Sequence, residues 1–232
     1  MTKTTRLFDG LHAIALGNVF IYLLDDPGGA ILIDAGYPSD GPKILAALAS
    51  MGRSPSDIRH IIVTHAHPDH IGALAMVQRE TGATVHVHAI DRPVVEGAPP
   101  RKVTPTGDVF SWLVTTLLLR DPPPLEPARV GAELTDGQVL PFAGGLEIIH
   151  APGHSNGQCA LLWRRHGGVL FAADTCMNVL GLRMLPVCED AGLARKSLSM
   201  LTQHDFDSVV FGHGAPILSD GGARFRKRWR QE

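Results

Sequence analysis

Three histidines and an aspartate fall within six consecutive positions of the 232-residue chain, a density typical of a metal site. They follow the apolar residues 61–64, which resemble a buried strand, and they are His65, His67, Asp69 and His70. Alternate side chains of an extended segment share a face, so His65 and His67 point the same way. The other two come where the chain turns into a helix and present a second set of ligands. Imidazole and carboxylate groups suit zinc, iron or manganese, and two neighbouring metal sites can activate water at neutral pH.

A centre of two metals needs further ligands, and the later part of the chain supplies them. Each candidate lies where a predicted strand gives way to a loop, and these candidates are His154, Asp174 and His213. Glycines beside two of them allow the backbone to crowd a shared centre. In a chain with twelve histidines the alternative is a polar loop that is histidine-rich by chance. We prefer the metal site, because clusters of this composition and spacing bind metals.

In order and spacing, these motifs resemble the metallo-β-lactamase superfamily from Asp34 to His213. The resemblance implies two groups of ligands, one for each metal: His65, His67 and His154 for the first, and Asp69, His70 and His213 for the second. Asp174 would bridge the two metals. Asp34 matches an early aspartate of the family that helps to fix the ligands, since ligating histidines usually need a partner for their other ring nitrogen.

The chemistry that this resemblance implies is metal-dependent hydrolysis. Two divalent metal ions, with zinc preferred over iron or manganese, share a bridging hydroxide that attacks an ester, thioester, lactone or related bond of a small molecule. Asp69 is the candidate catalytic residue, because it can accept a proton as the bond breaks. This chemistry needs no separate Ser-His-Asp nucleophile.

Other functions stay open on the same ligands. One is a mononuclear iron oxidoreductase, as in persulfide dioxygenases, and another is a phosphodiesterase or nuclease. A non-enzymatic binding module is disfavoured by the complete ligand set. Four residues are predicted to contact the substrate: Tyr37, Trp112, Met177 and Leu182. Apolar stretches at residues 109–119 and 178–187 favour a substrate with an apolar part.

Clusters of predicted strands alternate with helices, and the arrangement occurs twice along the chain. This pattern predicts an α/β fold, an αββα sandwich of two packed mixed β-sheets with helices on the outer faces. Strands are predicted at residues 11–16, 19–24, 30–34, 61–64, 84–88, 143–150, 158–164, 169–173 and 209–211. Helices are predicted at residues 41–51, 68–80 and 192–204 and near the C-terminus.

A single domain is predicted over residues 1–232, interrupted by a proline-rich insert at about residues 92–135. This insert contains one apolar stretch, residues 109–119, which favours a lid over the site or a surface for a partner. In the first case the stretch forms a wall of the substrate pocket. In the second it packs against another copy in a homodimer.

Composition excludes several classes of function. The formal net charge of −2 provides no broad basic surface, so nucleic acid is not an expected partner. No stretch reaches the roughly 20 apolar residues of a membrane span, and the polar N-terminus lacks the apolar core of a signal peptide. Three cysteines without C-x-x-C spacing favour reduced thiols. We therefore expect a cytoplasmic enzyme that acts on a small molecule, with no membrane partner.

Overall fold

Two mixed β-sheets pack face to face, and helices cover the outer face of each, as the sequence predicts. The computed structural model describes residues 2–107, 111 and 124–230. In spatial order, the seven strands of the first sheet are β1 (Lys3–Phe8), β2 (Leu11–Leu16), β3 (Val19–Leu24), β4 (Ala30–Ile33), β5 (Ile58–Ile62), β6 (Thr84–His88) and β8 (Val130–Leu134). The five strands of the second sheet are β16 (Ser208–Phe211), β12 (Val169–Ala173), β11 (Cys159–Trp163), β10 (Leu146–His150) and β9 (Val139–Leu140).

Short elements complete the described part of the chain. Two small antiparallel pairs join β7 (Thr104–Pro105) to β15 (Val187–Cys188) and β13 (Met177–Asn178) to β14 (Leu182–Arg183). The α-helices are α1 (Gly41–Ser50), α2 (Pro68–Ile71), α3 (Leu74–Thr81), α4 (Arg92–Val95), α5 (Ala191–Leu201) and α6 (Gly221–Trp229). Two 3-10 turns are Pro55–Asp57 and Phe142–Gly144.

The central strands are continuously apolar because both of their faces are covered. In β4, Ile31 and Ile33 face the second sheet, whereas Leu32 packs with helices α1 and α3. The second sheet repeats this arrangement, since Leu161 faces the interior between the sheets and Leu162 packs under α5 and α6. The chain therefore has three apolar layers, one between the sheets and one under each helical layer.

Tyr22 ties the two sheets together near the end of β16. Its hydroxyl donates to the carbonyl of Phe211 (2.6 Å) and accepts from the amide of the same residue (3.1 Å). The ring also packs edge-on against Phe171, with a centroid distance of 5.5 Å. The backbone of Phe20 adds a hydrogen bond to the carbonyl of Gly212 (2.8 Å). These contacts set the relative position of the two sheets immediately before His213.

Several predicted elements are confirmed and others need correction. The hairpin of β2 and β3 and the strands β6 and β12 lie where the sequence predicts them. The single helix predicted over residues 68–80 is wrong, because it is divided at Gly72, whose amide donates to Gly36 (2.8 Å). The polar N-terminal segment forms a strand that sequence reasoning missed. Residues 130–134, which the sequence places inside the insert, pair with β6 as an edge strand.

The core of the predicted insert lies outside the described residues. This applies to Trp112 and to almost all of residues 109–119, so the lid and the homodimer stay predictions. No helix in the described part of the chain is long and apolar enough to cross a membrane.

The two tyrosines of the chain allow a matched test of the contact between the sheets. We expect Tyr22→Phe to lower the free energy of unfolding by about 1–3 kcal/mol, because two buried backbone groups of Phe211 lose their partner. Tyr37→Phe removes only a 3.3 Å contact with Asn18, and this variant should change the free energy of unfolding by less than about 0.5 kcal/mol. Urea denaturation of both variants measures the difference, and equal stabilities would contradict this role of Tyr22.

Candidate metal centre

Two groups of side chains at one edge of the sandwich could each hold a metal ion. In each group, one potential ligand atom per residue lies within 4.8 Å of the others. The first group is His65, His67 and His154, and the second is Asp69, His70, Asp174 and His213. The structure therefore brings together all seven predicted ligands, in the two groups that the family resemblance implies.

Both sheets contribute to these groups. The run His65–His70 follows β5 of the first sheet and continues into α2, while the other three residues follow strands of the second sheet. The amide of Cys159 donates to the carbonyl of Thr64 (2.8 Å), which joins the loop after β5 directly to the second sheet. The candidate centre consequently exists only when the two sheets are correctly docked.

Asp174 lies between the two groups. Its Oδ2 is 3.4 Å from Nε2 of His154, a member of the first group. The same oxygen is 3.2 Å from Nε2 of His213, and Oδ1 is 3.5 Å from Nε2 of His70, both in the second group. One buried carboxylate thus reaches histidines of both groups.

Asp34 orients two of the histidines. Its Oδ2 accepts from Nδ1 of His70 (2.8 Å) and from the hydroxyl of Thr64 (2.8 Å). Because that hydroxyl donates to the carboxylate, its oxygen is free to accept from Nδ1 of His65, 3.1 Å away. The Thr64 amide donates to the other carboxylate oxygen (2.8 Å). Both imidazoles therefore carry their proton on Nδ1, which leaves the lone pair of Nε2 for a metal.

Backbone carbonyls orient two further histidines in the same way. Nδ1 of His154 donates to Val187 (2.9 Å), and Nδ1 of His213 donates to Asn18 (2.7 Å). A carbonyl can only accept, so the Nε2 atoms of these histidines are the unprotonated nitrogens when the rings are neutral. These nitrogens are also the ones that face Asp174.

The donor set fits a metal because several of its buried atoms lack any other partner. Nε2 of His65, His67 and His70 and Oδ1 of Asp174 are buried without a hydrogen bond among the described residues. Buried polar atoms are ordinarily satisfied, and leaving four of them unpaired in one place is unfavourable. Coordination of a cation would satisfy them.

The electrostatics of the two groups differ. Burial lowers the pKa of His65 well below its usual value and that of His67 to about 3, which favours the neutral form that binds metal. Burial also lowers the pKa of His213, but the carboxylates of Asp174 and Asp69 outweigh it and raise that pKa to about 12. The field around the second group thus favours positive charge, as a divalent cation requires.

Two residues at the centre have left-handed backbone conformations that are unfavourable for side chains other than glycine. Asp34 has φ of +64° and Ala173, directly before Asp174, has φ of +46°. Such conformations cost about 1–3 kcal/mol and persist where the surroundings enforce them. Both turn the chain sharply at a strand end. The first turn aims the carboxylate of Asp34 itself, and the second brings the carboxylate of Asp174 into the site.

Three of the four predicted substrate residues can be placed. Tyr37 is half-buried near the second group, and Nδ2 of Asn18, whose carbonyl holds His213, donates to its hydroxyl (3.3 Å). Met177, three residues after Asp174 in the sequence, lines a cavity. Leu182 packs against the apolar layer under α5 and α6. Their contact with a substrate stays a prediction, as does that of Trp112.

Sequence reasoning missed Asp91, a fully buried carboxylate that holds both motif loops. Its Oδ2 accepts from the amide of Ala66, between the first two histidines (2.7 Å), and its oxygens accept from the hydroxyl of Ser155 (3.2 Å). Arg101 forms an ion pair with Asp91 and another with Glu189 (2.8 Å). No local pattern signals this role, because the partners of Asp91 lie up to 64 positions away in the chain.

Comparison with known proteins agrees with this geometry. The sequence profile of the metallo-beta-lactamase superfamily matches residues 14–213. YflN of Bacillus subtilis, a probable metallo-hydrolase, is 30% identical over 244 residues, which cover 94% of this chain and 87% of that protein. A hydroxyacylglutathione hydrolase of Methylobacillus flagellatus is 26% identical, over 89% of this chain and 66% of the relative. The chain belongs to the metallo-beta-lactamase superfamily.

Solved structures agree on the fold. BJP-1, a subclass B3 metallo-beta-lactamase of Bradyrhizobium japonicum, aligns with a TM-score of 0.73 over 97% of this chain and 88% of that one. MEM-A1, a subclass B3 enzyme from a soil metagenome library, aligns with a TM-score of 0.72 over 91% of this chain and 79% of that one. Identities of 20% and 21% mean that these likenesses establish the fold alone.

Replacing Asp34 tests its role as the residue that orients the ligands. We expect Asp34→Asn to weaken metal affinity by about 10–100-fold, because the amide cannot accept hydrogen bonds on both of its heavy atoms. Competition with a chromogenic chelator measures the affinity. Asp40→Asn is the matched control, since Asp40 is equally buried but bonds to Lys43 and to the amide of Tyr37. Equal affinity in the wild type and Asp34→Asn would contradict the role.

Gly212 provides a steric test of the same centre. A Cβ atom there would lie 2.0 Å from Oδ1 of Asp174 and 2.8 Å from Cε1 of His70. We expect Gly212→Ala to displace these side chains and lower the metal content of the purified protein. Gly192→Ala is the control, because its nearest neighbour is Oδ1 of Asp190 at 3.3 Å. Wild-type metal content in Gly212→Ala would show that the centre tolerates the shift and that this packing is not required.

Proposed function

We propose that the chain is a binuclear metal-dependent hydrolase that cleaves an ester, thioester, lactone or related bond of a small molecule. The observation that carries the proposal is the position of Asp174, within 3.5 Å of histidines from both ligand groups. A carboxylate in that position is suited to bridging two metal ions. Membership of the superfamily and the relatives named as hydrolases support the same reaction class.

The residues that would hold the two ions are those of the two groups, with Asp174 shared between them. Histidine nitrogen and carboxylate oxygen suit zinc, with iron or manganese also compatible. The chemistry that such a pair supplies when bound is activation of water at neutral pH and polarisation of the substrate carbonyl. The protein's part is to hold the ligands rigidly, through Asp34, Thr64 and the carbonyls that fix the histidine tautomers.

Asp69 and Tyr37 are the candidates for handling protons and substrate. Burial raises the pKa of Asp69, but His70 and His213 outweigh it and lower that pKa to about 2, so the carboxylate stays ionised at neutral pH. In that state it can accept a hydrogen bond from water and orient it. Burial, reinforced by Asp69, raises the pKa of Tyr37. Its phenol therefore stays protonated and can donate a hydrogen bond to a substrate oxygen.

Apolar side chains next to the centre support a substrate with an apolar part. The β13–β14 hairpin lies against the second ligand group, because the amide of Asn178 donates to the carbonyl of His213 (3.0 Å). Val179 and Leu180 at its tip are 44% and 93% exposed, and both are available to a ligand. Exposed apolar side chains of this size at a functional edge favour contact with apolar groups.

The number of metals tests the binuclear proposal directly. We expect two metal ions per chain in wild-type protein reconstituted with zinc, and a substantial loss of metal in Asp174→Ala. Elemental analysis after removal of unbound metal gives the ratio. Asp136→Ala removes an exposed turn carboxylate that accepts from the amide of His150 (2.8 Å), and should retain both ions. At most one tightly bound metal in reconstituted wild type would refute the binuclear centre.

A substrate screen then tests the reaction class. Wild-type protein loaded with zinc, manganese or iron is assayed against thioesters, esters, lactones, phosphodiesters and β-lactams, with Asp174→Ala as the inactive control. Hydrolysis of a carbonyl compound supports the proposal. Activity confined to phosphodiesters would assign a phosphodiesterase instead, and one iron per chain with oxygen consumption would assign an oxidoreductase.

A further inference from the structure

A cavity of about 870 Å³ beside the candidate metal centre has an unusual concentration of positive charge. Four arginines line it, together with Trp229 and Met177: Arg183, Arg195, Arg228 and Arg230. No aspartate or glutamate among the described residues lines this cavity. The volume is in the range of ligand pockets, which is about 300–1,000 Å³. The cationic lining contrasts with the formal net charge of −2 of the whole chain.

The arginines come from three separate elements. Arg183 belongs to β14, Arg195 to α5, and Arg228 to α6, with Arg230 directly after that helix. Their convergence is therefore not a by-product of one solvated helix face. Arg183 is half-buried, and the other three are exposed at the mouth of the cavity.

Neutral groups hold Arg195 and Arg228 in place. Arg195 donates to the carbonyls of Ala191 (3.3 Å) and Thr106 (3.5 Å), and Nε of Arg228 donates to Leu182 (3.2 Å). The guanidinium of Arg228 also lies 4.3 Å from the ring centroid of Trp229, a cation–π contact.

Several arginines elsewhere in the described part of the chain form ion pairs. Arg79, Arg92 and Arg164 each pair with a glutamate. Within residues 2–107, 111 and 124–230, Arg195 and Arg230 have no carboxylate at ion-pair distance, and neither has Arg228. The guanidinium fork matches the oxygens of phosphate and carboxylate groups. An anion in the cavity would supply the missing negative charge.

Backbone segments that line the cavity also lie next to candidate metal ligands. Met177 lies three residues after Asp174, so their Cα atoms are at most about 11 Å apart. On another wall, Pro186 precedes Val187, whose carbonyl holds His154 (2.9 Å). We propose that the arginine-lined cavity binds a phosphate or carboxylate group at the end of the substrate remote from the scissile bond. This inference rests on the proposed hydrolase function.

Direct binding tests the cavity without any reaction. Zinc-loaded protein is titrated with inorganic phosphate and with succinate, which represent the two sources of anion, by calorimetry at constant ionic strength. We expect Arg195→Gln/Arg230→Gln to weaken binding of the preferred anion by about tenfold or more, since charge-assisted hydrogen bonds are lost. Arg195→Lys/Arg230→Lys keeps the charges and should recover part of the affinity.

The matched control is Arg224→Gln/Lys227→Gln. This variant removes two exposed charges of helix α6 that do not line the cavity. It should bind as the wild type does, because binding in a cavity depends on position and not on total charge. Equal binding by the wild type and Arg195→Gln/Arg230→Gln, or equal losses in both glutamine variants, would overturn the inference.

Kinetics connect the cavity to the reaction. Two thioesters with the same acyl group are compared, one with a neutral thiol portion and one whose thiol ends in the preferred anion. We expect the wild type to have a lower KM for the charged thioester. Arg195→Gln/Arg230→Gln should abolish that preference, whereas Arg224→Gln/Lys227→Gln should keep both the preference and the kcat for the neutral thioester. An equal preference in the wild type and Arg195→Gln/Arg230→Gln would overturn the inference. If none of the carbonyl compounds in the substrate screen is hydrolysed, the hydrolase proposal fails, whereas the calorimetry still decides the cavity.

Discussion

The buried carboxylate of Asp34 is the constraint on which the candidate centre depends. It accepts hydrogen bonds from Thr64 and His70 and, through the threonine hydroxyl, orients His65. One side chain at the end of β4 thus orients one candidate ligand in each of the two groups. A buried charge is unfavourable unless it is fully hydrogen-bonded, and these contacts provide that bonding. The left-handed backbone at Asp34 is the cost of aiming the carboxylate back under the loop after β5.

The second requirement is the docking of the two sheets. Ligands from the loop after β5 meet those from β12 and β16 only because the apolar layer between the sheets holds them in register. The Tyr22 hydroxyl and the backbone bond between Phe20 and Gly212 act at the same edge. The buried carboxylate of Asp91 accepts hydrogen bonds from both of the loops that carry His67 and His154. The stability of the sandwich and the geometry of the centre are therefore coupled.

Charge is distributed unevenly around this edge. The second ligand group carries the carboxylates of Asp69 and Asp174 and favours a cation, whereas the neighbouring cavity is lined by arginines. The arginines would attract the anionic end of a bound molecule, while the carboxylates of the ligand group would be neutralised by the metal ions. The proposed hydrolase and the proposed anion site together describe a substrate with a carbonyl group at one end and a phosphate or carboxylate group at the other.

The sequence by itself determined the candidate ligands and most of the elements that carry them. His65 to His70 form a contiguous motif after an apolar run, and strands such as β2, β3 and β12 have patterns that are set by near neighbours in the chain. Local signals of this kind are readable because the residues that cooperate are close in sequence. The ends of the helices and strands are less readable from local patterns. Helix α2, for example, ends where the amide of Gly72 donates to the carbonyl of Gly36, which is 36 positions away in the chain.

Only the tertiary structure decided which distant groups meet. The position of Asp174 between the metal groups, the contacts of Asp91 and the convergence of Arg183 with Arg230 all join residues on separate elements. Nothing near any of these residues in the sequence records its partner, because side-chain contacts across a folded core depend on how sheets and helices pack. The sequence therefore determined which groups could bind a metal, and packing decided how those groups are oriented and what lies beside them.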